Sequence, residues 1–336
     1  MAAELSVVIP TYNRRARLAR VLDGFKGQSV DAGEFEVVLV DDGSTDGTSE
    51  WLAAQRFPFR LHVVRQANGG PAAARNAGIR IAQGRILLFI DDDLVPNPDL
   101  IAEHLHMHRM ESGIAVIGPL ESLPHYAQPW VAWEQAMVEA QYRAMKRGDW
   151  APTFRQFWTA NASVERERVL EVGGFDPAFL RAEDVELGVR LSLRGVRFRF
   201  NPAASGIHHA ERSLKSWSSV HRAYGKLEFS IFRNLGEETA ISLLAANWSG
   251  LHPATRWLIS ACLDRPRATS AAAAVLGACI RGAGLIHYGA MGLAACGALA
   301  NLLYWEAAAR ELGPTRMVTI MRRTNVTCQK PRSLAS

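Results

Sequence analysis

The sequence predicts an α/β fold: a Rossmann-like, mostly parallel sheet flanked by helices, followed by an α-helical C-terminal region. Three observations predict it. Apolar runs at residues 5–9, 35–40, 61–64 and 86–90 alternate with helix-forming stretches, and a strand, helix, strand, helix order calls for parallel pairing through right-handed crossovers. Ile86, Leu87, Leu88, Phe89 and Ile90 carry no charge, as befits a strand buried on both faces in the middle of such a sheet. After Leu235 the composition shifts to alanine, glycine and leucine, and no acidic strand end recurs. The expected domains are therefore residues 1–235 and a helical region at 236–336.

The chain has 336 residues, 48% of them apolar and 21% charged, an ordinary globular composition with length for one large and one smaller domain. A net charge of +5 favours anionic partners such as nucleotides, phosphorylated lipids or a membrane surface, without choosing among them. Cys262, Cys279, Cys296 and Cys328 show no Cys-x-x-Cys spacing, so neither a zinc site nor a disulfide framework is expected. No secretory pattern precedes the first strand. A cytoplasmic protein is the expectation, with the inner face of the cell membrane as the alternative.

Taken in order, residues 5–9 form a strand, Pro10, Thr11, Tyr12 and Asn13 a turn, and 14–25 a helix with Ala16, Leu18, Val21, Leu22 and Phe25 on its apolar side. The strand at 35–40 ends in Asp41 and Asp42, and Thr45 or Asp46 caps the next helix. After the strand at 61–64, Gly69, Gly70 and Pro71 open an alanine-rich helix. Free amides at such a start attract phosphate, and Arg75 adds a fixed cation one turn in. The strand at 86–90 ends in Asp91, Asp92 and Asp93. Three adjacent carboxylates repel one another unless a cation or a set of donors sits among them, and hard oxygen ligands at the carboxyl end of a strand suit Mg²⁺ or Mn²⁺. An acidic turn capping the helix at 99–110 is the bland alternative.

Further on, 114–117 is a strand, 118–129 a loop and 130–145 an aromatic helix. Trp130, Trp133, Tyr142, Trp150, Phe154, Phe157 and Trp158 could stack on a sugar, but such residues are mostly core. A strand at 157–164 and a short helix at 165–172 lead to the tight turn of Gly173, Gly174, Phe175 and Asp176. Glu183 and Asp184 then open a helix, where they serve either as a cap favoured by the helix dipole or as a carboxylate base. A strand at 196–200 precedes His208 and His209. His104, His106 and His108 fall on the helix at 99–110. His104 and His108 could share a metal, but a solvated face is the preferred reading.

Four motifs in order, Val8 to Asn13, Val40 to Asp46, the Gly69-Gly70-Pro71 run through Arg75, Asn76 and Gly78, and Ile90 to Asp93, resemble family 2 glycosyltransferases of the GT-A fold over residues 4–235. The resemblance implies a nucleotide-diphosphate sugar donor, with a UDP-sugar favoured, a divalent Mn or Mg ion, and inversion at the anomeric carbon. It places Pro10, Thr11, Tyr12, Asp42, Arg75, Asp91, Asp92 and Gly174 around the nucleotide sugar, Arg75 on its base or diphosphate. It makes Asp93 the main metal ligand, with Asp91 and His208, or else His209, as further ligands. Asp184 falls on the general base, and Glu183 orients the acceptor or the base. No Gln-x-x-Arg-Trp follows, so a non-processive enzyme is expected, acting on a glycan, lipid-linked or small-molecule hydroxyl.

Two rivals are weighed. A sugar-phosphate nucleotidylyltransferase would want a basic Gly-rich loop where Pro10 to Asn13 stand, and a catalytically silent nucleotide-sugar binder would not need both Asp184 and the triple Asp. Neither a dinucleotide-binding fingerprint nor a P-loop is present. No nucleic-acid partner is expected. In the C-terminal region, residues 282–305 contain no Asp, Glu, Lys or Arg, a length that can cross a bilayer. A packed helical hairpin is favoured over an in-plane surface helix flanked by Arg316, Arg322, Arg323, Lys330 and Arg332, and over a true span.

Overall fold

The computed structural model describes residues 3–284 and 289–323. Its strands are β1 (Leu5–Thr11), β2 (Phe35–Asp41), β3 (Arg60–Arg65), β4 (Ile86–Ile90), β5 (Leu94–Pro96), β6 (Ile114–Ile117), β7 (Leu120–Ser122), β8 (Asn161–Glu165), β9 (Arg197–Phe200) and β10 (Gly206–His208). Its helices are α1 (Arg15–Phe25), α2 (Thr48–Ala53), α3 (Gly70–Ile81), α4 (Leu100–Met110), α5 (Pro129–Lys146), α6 (Arg166–Glu171), α7 (Glu183–Leu193), α8 (Leu214–Phe232), α9 (Glu237–Ser249), α10 (Pro253–Cys262), α11 (Pro266–Gly284) and α12 (Ala290–Arg322). The main sheet has the order β3-β2-β1-β4-β8-β6-β9. All of its pairings are parallel except the two made by β8.

The expected central strand is in the middle: β4 lies between β1 and β8, and all five of its residues are buried. Val7, Ile9, Leu88 and Ile90 face one core layer with Leu18, Leu22 and Phe25 of α1, while Val8, Leu87 and Phe89 face the other with Ala72 and Ile79 of α3. This two-sided burial is why these strands read as unbroken apolar runs. A second, three-stranded sheet was not expected from the sequence. In it, β10 pairs antiparallel with β5 and parallel with β7, and these three-residue strands are too short for periodicity to reveal.

The chain divides into two compact units, one of residues up to Pro124 with Val138–Ala210, the other of His125–Met137 with the residues from Glu211 onward. The expected boundary at 235 thus falls inside the second unit. There α8 packs along α12 so closely that a Cβ on Gly225 would lie 2.0 Å from the Tyr304 carbonyl oxygen. Trp133 and Trp217 meet edge to face at 5.8 Å in the core of this unit. Arg316 and Arg323, flanks of the imagined surface helix, are ion-paired at 2.7 Å with Glu237 and Glu238 of α9. No helix among the described residues is long and apolar enough to cross a membrane. The run at 282–305 is divided between the end of α11 and the start of α12, while His287, Cys328, Lys330 and Arg332 lie outside the described residues.

In the first unit, Tyr142 stacks on Phe200 at 5.4 Å, and Phe157 is fully buried. Core packing accounts for both. The histidines of α4 correct the solvated-face expectation: His106 is exposed, but His104 and His108 are buried. Asn161 donates its amide to the carbonyls of Pro119 and Ala204, leaving its Oδ1 to accept from His104 Nε2 at 3.0 Å. The Ser163 hydroxyl then donates to His104 Nδ1 and accepts from His108 Nε2, both at 2.8 Å. The i, i+4 spacing thus serves a buried network and not a metal.

Burial pushes His104 down to about 4, and burial with the neighbouring His104 and Arg85 pushes His108 to about 3. The unfolded chain protonates both near an ordinary pKa of about 6.5, so it binds more protons than the folded state at mildly acid pH. Their contribution to stability is therefore lost as pH falls from about 6.5 toward 4. In circular-dichroism melts across this range, the double variant His104→Gln, His108→Gln is expected to show a shallower loss of Tm than wild type. An equal slope would contradict the assignment of two neutral imidazoles.

Candidate active site

The register of the main sheet brings the acidic strand ends together. Val8 of β1 pairs with Phe89 of β4, and Thr11 pairs with Asp41 of β2, so Thr11 and Asp92, each three residues beyond the first of these pairs, come level. The Thr11 hydroxyl donates to Asp92 Oδ2 at 2.8 Å. Pro10 lies within β1 opposite Val40, and Tyr12 is about half exposed just past the strand.

The three adjacent carboxylates are not equivalent. Asp91 pairs with Arg75 Nη2 at 2.7 Å. Asp92 takes Arg14 Nη1 at 2.8 Å. Burial pushes its pKa up to about 6 against the opposing pull of Arg14. Asp93 has Arg14 at 3.3 Å, Arg17 at 3.8 Å and His208 Nε2 at 3.5 Å. Burial works to raise its pKa, but the His208 contact with Arg14 and Arg17 outweighs burial and holds the carboxyl well below the ordinary range. The cations expected among these carboxylates are thus partly the protein's own. The sequence reading missed Arg14 and Arg17, although their place just beyond β1, beside β4 in the sheet, is the signal that could have found them.

The small sheet explains His208. Its register sets His208 opposite Leu94, the residue after Asp93, and the His209 backbone amide donates to the Asp93 carbonyl at 2.8 Å. The His208 side chain therefore faces Asp93, whereas His209 lies 3.4 Å from Arg20. Among the described residues no three His, Cys, Asp or Glu side chains converge on one point. The Asp93 and His208 pair nevertheless supplies oxygen and imidazole donors, a set that fits a divalent ion taking its other ligands from a diphosphate and water. Asp91, expected as a further ligand, is engaged by Arg75.

Asp42, expected at the nucleoside, is held in place by donors at the start of α3. Its carboxylate accepts from the Gly69 and Gly70 amides, both at 2.9 Å, and from Gln66 Nε2 at 2.7 Å. The first amides of α3, expected to be free for phosphate, are therefore capped by Asp42, and the buried carboxylate obtains the donors its burial demands.

Arg75 and Asn76 of α3 hold the opposite wall. The Asn76 side chain donates to the Phe175 carbonyl at 2.8 Å and accepts the Phe175 amide at 2.9 Å. Gly174 sits at φ +74, where a Cβ would lie 2.6 Å from Asn76 Oδ1. At Gly174 the turn therefore requires glycine for close approach as well as for its positive φ. Arg190 of α7 donates to the Val172 and Gly174 carbonyls at 2.6 and 2.7 Å, fastening the turn to the helix. Ala182 adopts the left-handed conformation, φ 58, and launches α7 with Glu183, Asp184 and Glu186 in its first turn. Glu183 accepts from Arg75 Nη1 at 2.8 Å. Burial and the adjacent Glu183 charge raise Asp184 to about 7, against an opposing pull from Arg75.

Models of two related families match the chain: glycosyl transferase family 2 over residues 6–157, and glycosyl transferase family group 2 over residues 86–264. The chain belongs to glycosyltransferase family 2. A validoxylamine A glucosyltransferase of Streptomyces hygroscopicus is 33% identical over 234 residues, 60% of this chain and 54% of that protein. The match covers 51–65% of the length of three such curated relatives, this one among them. The GT-A fold is shared with a mannosyltransferase from Pyrobaculum calidifontis solved with GDP-Man and Mn²⁺, at TM-score 0.57 and 21% identity, covering 93% of this chain and 88% of that one. It is shared too with Staphylococcus aureus TarS 1–349 in complex with UDP-GlcNAc, at TM-score 0.53 and 20% identity, covering 92% of each chain. In this family 2 chain the GT-A sheet thus gathers Thr11, Asp42 and Asp91 to Asp93 at the strand ends of one unit, together with Arg75, Glu183, Asp184 and His208.

The clasp at Asn76 predicts unequal costs for two neighbouring glycines. Gly173 also has positive φ but nothing within 4 Å of its Cβ position, so Gly173→Ala should cost about 1 kcal/mol from backbone conformation alone. Gly174→Ala adds the clash and should cost about 2–4 kcal/mol. Chemical denaturation of the two variants checks this, and equal losses would show that the clasp does not constrain the turn.

Proposed function

We propose that this family 2 chain transfers a sugar from a nucleoside-diphosphate sugar, with UDP-sugars favoured, to a hydroxyl acceptor in one inverting displacement, without processivity. The observation that carries the reading is Asp184. It is a carboxylate in the first turn of α7, tied through Glu183 and Arg75 to the strand end that bears the acidic triplet, with a pKa raised to about 7. A base poised near the working pH combines the ionised form with real proton affinity. The acceptor oxygen bonds to the anomeric carbon as the bond from that carbon to the diphosphate breaks. Asp184 takes the acceptor's proton, and the nucleoside diphosphate departs.

Asp93 and His208 would hold the divalent ion. When bound, it supplies positive charge to the departing diphosphate. Arg14 and Arg17 add fixed positive charge at the same strand end. Thr11, Tyr12 and Asp42 line the side given to the nucleoside. The acceptor is a glycan, lipid-linked or small-molecule hydroxyl, and the free thiols of Cys262, Cys279 and Cys296 accord with a cytoplasmic setting.

Two experiments test the reading on the full chain, with UDP-glucose, UDP-GlcNAc and GDP-mannose as donors. Asp184→Asn should lower turnover by about 10²- to 10⁴-fold, and wild-type kcat/KM should rise with pH through about 7, because protonated Asp184 cannot accept the acceptor's proton. Unchanged turnover in the variant removes Asp184 as base. EDTA should abolish turnover and Mn²⁺ restore it, with Asp93→Asn raising the Mn²⁺ required by about tenfold or more. Activity that persists in EDTA removes the metal.

A further inference from the structure

We propose that Arg75 is a positioning residue, a buried strut between the donor-side end of β4 and the helix that carries the base, and not a contact to the donor's base or diphosphate. This rests on the transfer reading above. Arg75 is 4% exposed, and both terminal nitrogens are spent inside the protein, Nη2 on Asp91 at 2.7 Å and Nη1 on Glu183 at 2.8 Å. Its Nε has no partner among the described residues. The guanidinium lies 5.6 Å from the centre of the Phe175 ring, which meets Phe89 of β4 edge to face at 5.2 Å. A planar fork with two separated donors suits this task, since one rigid group fixes two carboxylates at once.

The neighbouring residue supports the same role. Asn76 grips the backbone of Phe175 while Arg75 grips Glu183, so consecutive residues of α3 hold both ends of the segment that leads into α7. With one cation between Asp91 and Glu183, and Asp184 close by, the cluster keeps an excess of negative charge. The groups acting on Asp184 are Glu183 and Asp91, which disfavour its ionised form, and Arg75 and the Val185 amide, which favour it. Removing Arg75 should therefore raise the Asp184 titration, while Glu183→Gln, which removes the adjacent negative charge, lowers it and calibrates the readout.

The test uses the full chain with Arg75→Met, Arg75→Lys and Glu183→Gln. Three readouts are taken: UDP affinity by calorimetry in Mn²⁺, turnover of UDP-glucose, UDP-GlcNAc and GDP-mannose, and the carboxyl titration of Asp184 by ¹³C NMR. Arg75→Met should bind UDP within about threefold of wild type, lose about 10²-fold in kcat, and move the Asp184 titration to higher pH by about one pH unit. Glu183→Gln should move it to lower pH, and Arg75→Lys should recover part of kcat. UDP binding weakened more than tenfold in Arg75→Met with kcat kept would make Arg75 a donor contact and overturn the proposal, as would an Asp184 titration unmoved in Arg75→Met. If Arg75→Met does not fold, Arg75→Gln is read in its place: UDP bound within about threefold of wild type with kcat lowered supports the strut, and UDP binding weakened more than tenfold with kcat kept overturns it. Absence of wild-type turnover on every donor, with the opposed NMR shifts intact, would sink the transfer reading and leave the strut standing.

Discussion

Three carboxylates in a row at the end of a fully buried strand cannot stand without positive charge, and the first unit is arranged to supply it. Arg14 and Arg17 come from the start of α1, Arg75 from α3 and His208 from the central strand of a separate small sheet. Each element reaches Asp91, Asp92 or Asp93 from a different direction. The register of β1 against β4, the insertion of β10 beside β5 and the close approach of α3 all serve this one electrostatic need.

That need also separates the carboxylates chemically. Asp93 is held ionised by its cationic neighbours, Asp92 is pushed up by burial, and Asp184, buried beside Glu183 with a shared arginine and the Val185 amide as partial offsets, is raised furthest. Environment alone makes one aspartate suited to stay charged beside a metal or diphosphate and another suited to take a proton. In the proposed reaction, proton transfer and charge neutralisation would thereby fall to different groups.

Much of the fold was legible because burial on both faces leaves an unbroken apolar run, as in β4, and because strands alternate with helices. The candidate residues were legible where they end such strands. Their partners were not: nothing local links Arg75 to Glu183, 108 positions away, or Arg14 to Asp92, 78 positions away. His104 and His108 looked solvated because their partners Asn161 and Ser163 lie on another strand. The second small sheet escaped because its strands, three residues each, are too short to display a pattern. Asp42 was legible as a strand-end carboxylate, yet only the folded chain reveals that the amides of Gly69 and Gly70 hold it in place.

A single displacement with one carboxylate base has a stereochemical signature that no binding property can imitate. The most direct measurement is ¹H NMR of the anomeric proton in the newly formed glycosidic bond, using a donor of known α configuration; the glycoside, being an acetal, keeps the configuration in which it forms. The account predicts a β product, with the configuration inverted. A product of retained α configuration would contradict it, because retention by double displacement needs a covalent nucleophile opposite the leaving group and leaves Asp184 without the role assigned to it.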